Sequence, residues 1–257
     1  MVAVQTTTTR VSNRLRTYNA VAGVVHLVQA VAVLSLTNDF SIPVTAVFME
    51  GPPGTDATKV TTLFDFSIGW GVALFLLMSA VAHLILITPG AFQWYVRQLE
   101  TRRNYARWIE YSLSSSLMVV LIALLPGITD ISALIALFGV NAAMILFGLL
   151  MEKYEQPGNP SWTPYWFGVV SGSVPWIAIA FYLWSPGSIA NPPIFVYVIF
   201  VSLFLFFNSF SLNMILQYRQ TWRWRNYVYG EYVYILLSLT AKSLLAWQIF
   251  AGTLAAP

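Results

Sequence analysis

A chain of 257 residues that is 58% hydrophobic and 9% charged is not an ordinary soluble domain, since it has too few charged residues to solvate so apolar a mass. Its net charge is only +3, and it has no cysteine, which excludes disulfides, thiolate metal sites and thiol catalysis. The composition predicts an integral membrane protein, whose charges are informative through their placement relative to the spans.

A polar leader with Arg10, Arg14 and Arg16 precedes a first predicted span over 18–36, in which Asn19, His26 and Gln29 share one helical face. The apolar run is about 20 residues long, with no small-residue cleavage pattern after it, so it is read as a span and not as a signal peptide. A polar loop, 37–62, contains Asp39, Glu50, Asp56 and the turn-forming Gly51-Pro52-Pro53-Gly54. The second span, 64–88, places Ser79 and His83 one turn apart and ends at Pro89-Gly90. After a basic stretch with Arg97, Arg102, Arg103 and Arg107, the third span, 104–125, carries Glu110 on the same face as Arg107. The fourth, 131–151, has Asn141 as its main polar residue. Pro186-Gly187 and Pro192-Pro193 separate the fifth span, 162–184, from the sixth, 194–217, because such pairs connect helices better than they continue them. Arg219, Arg223 and Arg225 lead into the seventh, 230–252, where the stretch Tyr232 to Thr253 holds a single charge, Lys242. The expected fold is an all-α membrane protein, one domain of seven transmembrane helices.

Eleven of the 13 Lys and Arg fall in the leader or in connections on its side, whereas the opposite side has only Lys59. Positive-inside bias then places the amino terminus in the cytoplasm, with loop 37–62 and the carboxyl terminus outside. On this orientation Lys242 lies about 16 Å along its helix, and Glu110, Ser114, His26, Ser79 and His83 fall in the cytoplasmic half. The outer half offers hydroxyls and amides such as Ser35, Ser67, Ser202 and Gln248.

An ionised lysine at this depth costs at least about 2.5–3.5 kcal/mol on insertion scales. Lys242 can snorkel, pair with a carboxylate, or condense with an aldehyde as a Schiff base. Glu110 can answer Lys242 or pair with Arg107 at the headgroup boundary. His26 and His83 suit either packing or proton holding. Phe207, Phe210 and Met214, spaced i, i+3, i+7, form one wall of an aromatic pocket or a lipid-facing stripe.

The segments Arg107-Trp108-Ile109-Glu110-Tyr111-Ser112 and Ser238-Leu239-Thr240-Ala241-Lys242, together with His26, Ser79 and His83, resemble heliorhodopsins across all seven spans, including the inverted topology. The resemblance implies a light sensor and not an enzyme: all-trans retinal on Lys242 as a protonated Schiff base, Glu110 as counterion, and Ser238 as a hydrogen-bond partner. It also implies that His26, Ser79 and His83 line a polar cavity that handles the released proton. Ser114, Met118, Asn141, Phe207, Phe210 and Met214 are the expected retinal contacts. A homodimer in the lipid bilayer, a slow sensory photocycle without ion pumping and an unidentified signalling partner complete the expectation, with no role for nucleic acid. Ser238 stands where ordinary microbial rhodopsins have an Asp, so a second carboxylate counterion is lacking. A seven-span zinc hydrolase is disfavoured by two His and no Cys. A transporter using Glu110 as coupling site is the alternative, though no internal repeat supports it.

Overall fold

The computed structural model describes residues 2–55, 58–185 and 192–254, with side chains from residue 13 onward. Among the described residues seven helices are long and apolar enough to cross a membrane. Only a helix satisfies all its backbone groups within one segment, which hydrocarbon requires of a lone span. In chain order the helices are α1 (Val2–Leu36), α2 (Ile68–Leu86), α3 (Pro89–Glu100), α4 (Tyr105–Leu124), α5 (Ile131–Tyr154), α6 (Thr163–Trp184), α7 (Ile194–Tyr218) and α8 (Tyr227–Ile249). All but α3 are spans. α4 is the central rod, with 78% of its span buried against 22% for α5.

Two expectations are corrected. The segment read as loop 37–62 contains a hairpin, β1 (Ser41–Met49) paired antiparallel with β2 (Thr58–Ser67). The second span therefore begins at Ile68 and not at residue 64, since Phe64 to Ser67 are already paired in β2 with Val44 to Ser41. Val, Thr and Phe dominate both strands and suit a pleated, half-covered surface. The hairpin is fastened to the α4–α5 turn: Thr45 N donates to Thr129 O at 2.9 Å, and the two threonine hydroxyls are 3.1 Å apart. In that turn Asp130 caps α5, accepting from Ser132 N and Ala133 N. The Ser132 hydroxyl and these amides hold its carboxyl below the ordinary value. Asp56 and the Pro186-Gly187 connection lie outside the described residues.

The basic stretch after span two holds a helix that the sequence reading passed over. In α3, Tyr95 and Leu99 are buried against Leu15 and Leu86 while Trp94 and Arg97 stay exposed. Burial pushes the Tyr95 hydroxyl up to about 12. α6 continues through Pro175 without a break, and the π-helical turn Phe250–Leu254 extends α8. The bundle thus has a hairpin end and an opposite, arginine-rich end.

Candidate functional site

Three helices bring one polar group each to the middle of the bundle. α8 supplies Lys242, 3% exposed, α4 supplies Glu110, and α2 supplies Ser79, fully buried. Lys242 Nζ donates to Glu110 Oε1 at 2.6 Å and to Ser79 Oγ at 2.5 Å, and Ser79 Oγ donates to Glu110 Oε1 at 2.6 Å. The ammonium also sits 5.1 Å from the Tyr111 ring centroid, whose π face favours a cation. A buried charge survives only when paired and hydrogen-bonded, and this triangle meets that condition.

The competing pairing of Glu110 with Arg107 does not occur. Arg107 forms ion pairs with Glu152 of α5 and Glu231 of α8, at the arginine-rich end. Glu152 also accepts from Trp108 Nε1, Asn104 N and Tyr227 Oη, each at 2.7 Å, and Glu231 accepts from Asn104 Nδ2 at 2.8 Å. The guanidinium lies over the rings of Tyr234 and Trp108, at 4.0 and 4.6 Å.

A cavity of about 310 Å³ begins at Lys242 and runs between α4, α5, α6, α7 and α8. Met118, Phe207, Phe210 and Met214 line it, together with Ser238 and Lys242. Trp176 of α6 closes one side, edge-on to Phe204 and Phe207 at 5.4 and 5.3 Å, and Tyr111 meets Phe210 edge-on at 5.5 Å. Glycine leaves room where α5 approaches α4 and α6. A Cβ at Gly172 would lie 2.3 Å from Met144 Sδ, and one at Gly148 2.4 Å from the Trp108 ring.

The remaining sequence-derived residues fall around this centre. Asn141 stands behind the wall and donates to Ser115 Oγ and Ser116 Oγ, both at 3.0 Å. Ser114 and Ser238 hydroxyls are buried and have no hydrogen-bond partner among the described residues. The Lys242 amine itself donates to Ser79 and Glu110, and Ser238 lines the cavity beside it. His26 and His83 stack with ring centroids 5.9 Å apart. His83 Nδ1 is 2.8 Å from Asn19 Oδ1, while both His26 nitrogens are without a partner among the described residues. Sequence reasoning missed Trp176, Tyr111, Glu152 and Glu231. The glutamates had given no signal because they stand near predicted span ends, where charge is ordinary.

Seven spanning helices closed around a buried amine, with a carboxylate at hand and an aromatic cavity leading to it, define a membrane receptor for an apolar, carbonyl-bearing ligand. The chain belongs to the heliorhodopsin family, which it matches over residues 15–254. It is a retinal-binding, light-sensing rhodopsin of the bilayer. No curated protein matches it. The residues present fit the cofactor: the volume lies within the roughly 300–1,000 Å³ of small-molecule sites, the lining is apolar and aromatic, and an amine stands at one end.

Proposed function

We propose that Lys242 holds all-trans retinal as a protonated Schiff base and that Glu110 is its counterion. The observation that carries this reading is the Lys242–Glu110 pair at the mouth of the aromatic cavity. Retinal when bound supplies visible absorption and light-driven isomerisation. The chain does the rest. Lys242 would hold the group through its amine, and Glu110 would balance the positive charge of the proton kept at that nitrogen. Ser79 fixes the carboxylate by donating to Oε1, while Tyr111, Trp176, Phe207, Phe210, Met118 and Met214 confine the polyene and exclude water. Ser238, one turn before Lys242 and with a buried hydroxyl that has no partner among the described residues, would be a hydrogen-bond partner near the nitrogen that holds the group. Ser114 and Asn141 support the α4 wall.

A proton leaving the nitrogen goes toward Ser79, His83 and His26, whose neutral imidazole offers one acceptor nitrogen with no partner among the described residues. It returns by the same route, which makes the chain a slow sensor and not a pump. The amino terminus is cytoplasmic, the hairpin end is outside, and the protein works as a homodimer that signals to a partner. The test is to add all-trans retinal to membranes containing the chain and its Lys242→Ala variant. Wild type turns coloured, and the variant folds but stays colourless. A coloured variant that bleaches with hydroxylamine would move the linkage elsewhere.

A further inference from the structure

The cluster around Arg107 sets one positive charge against two carboxylates. Arg107, Glu152 and Glu231 are all buried, Glu231 completely, and the guanidinium pairs with both acids. The other titratable groups within electrostatic reach of Arg107 are phenols: Tyr95 of α3, Tyr111 of α4, Tyr218 of α7, and Tyr227 and Tyr234 of α8. Phenols are neutral near pH 7 and supply no second cation. Arg103 donates to the Lys153 carbonyl and Lys153 is exposed, and neither forms an ion pair among the described residues. With both acids ionised, the cluster would bury one uncompensated negative charge, a state that a buried carboxyl avoids by taking up a proton.

The hydrogen bonds distinguish the two acids. An ionised carboxylate offers about four acceptor sites. Glu152 fills four, Oε1 accepting from Arg107 Nη2 and Tyr227 Oη, and Oε2 from Asn104 N and Trp108 Nε1. Glu231 fills two, Oε1 accepting from Arg107 Nη1 and Oε2 from Asn104 Nδ2, so the room for a proton is on Glu231. We infer that Glu231 is a second proton-binding site, a neutral carboxylic acid at pH 7, and that Glu152 is the ion that neutralises Arg107. The guanidinium lies on the rings of Tyr234 and Trp108, and both rings line the retinal cavity. When the Glu231 O–H bond breaks, the electron pair stays on the carboxylate and the proton leaves to solvent. The new negative charge then acts on Arg107, and the changed field crosses one layer of rings to the cavity. Because linkage is reciprocal, a change of charge in the cavity alters in turn how tightly Glu231 holds its proton. This coupling rests on the retinal reading above; the proton on Glu231 does not.

The test takes infrared spectra of the full chain in nanodiscs, without retinal, and subtracts those of its variants. At pH 7 the wild type should show the carbonyl stretch of a protonated carboxyl, shifted in heavy water and missing in Glu231→Gln. Because Gln resembles a neutral Glu in shape and charge, Glu231→Gln should unfold at the denaturant concentration of the wild type. Glu152→Gln strips Arg107 of its ion and should unfold at a lower one. A wild type without the band, a band that survives Glu231→Gln, or equal destabilisation by the two variants overturns the assignment. Should Glu231→Gln not fold, Glu231→Asp keeps the acid and must move the band; an unmoved band has the same force. With retinal added, raising the pH should shift the visible absorption maximum at the midpoint where the band is lost, and Glu231→Gln should abolish that shift. Loss of the band without a shift overturns the coupling to the chromophore. If no pigment forms, the retinal reading fails and the infrared bands still decide the proton.

Discussion

Replacing Glu110 by Gln keeps the shape of the side chain and removes one charge, which isolates what that charge does. Removing one partner of a buried ion pair costs roughly 3–5 kcal/mol. At 1.36 kcal/mol for each tenfold change in proton affinity, the pH midpoint at which visible colour is lost should fall by about 2 to 4. The protonated form should also absorb to the red, because the counterion no longer localises positive charge at the nitrogen. Titrating absorbance against pH checks both, and an unchanged midpoint would reassign the counterion. These two residues stand out in the sequence because a charge inside an apolar run is costly unless it is paired. The way their neighbours divide is not. Arg107 and Glu110 share a face three residues apart, and only the three-dimensional placement of Glu152 and Glu231 shows why Arg107 turns away from Glu110.

The wall between α5 and α6 depends on Gly172, where any Cβ would strike Met144. Gly172→Leu should therefore overpack the cavity at a cost of about 1–3 kcal/mol, lowering retinal affinity by roughly tenfold or more. Visible absorbance per mole of protein across a retinal titration measures it; full pigment yield would mean that the cofactor lies elsewhere. The helices of the spans were readable as apolar runs, with ends marked by proline pairs and arginines. The hairpin was not. Its threonines and charges read as a polar loop, while Phe64 and Phe66 extended the following apolar run and hid the start of α2. α3 was hidden by its length, since twelve residues with a narrow apolar face look like a connection.

Across the whole molecule the proposed orientation follows from eleven arginines and lysines on one side and Lys59 on the other. An epitope placed after Pro257 should be reached by antibody on intact cells; labelling only after permeabilisation would reverse the topology. The proposal of sensing without transport rests on a different asymmetry, that of the intramembrane polar groups, because a pump needs exchangeable groups on both sides of the nitrogen. Toward the hairpin end the polar residues include Ser202 and Gln248, which bond each other at 3.1 Å. Illuminated cells should then show no sustained change of external pH and no steady current; a protonophore-sensitive signal would establish transport.

The threonine contacts between the hairpin and the α4–α5 turn join the α1–α2 pair to α4 outside the membrane. Ser79 rides on one side of that joint and Glu110 on the other, so their alignment does not wait for retinal. Loosening the joint with Thr45→Ala should then slow the rise of colour after retinal is added to the folded chain, and an unchanged rate would mean that direct packing of α2 on α4 sets the alignment.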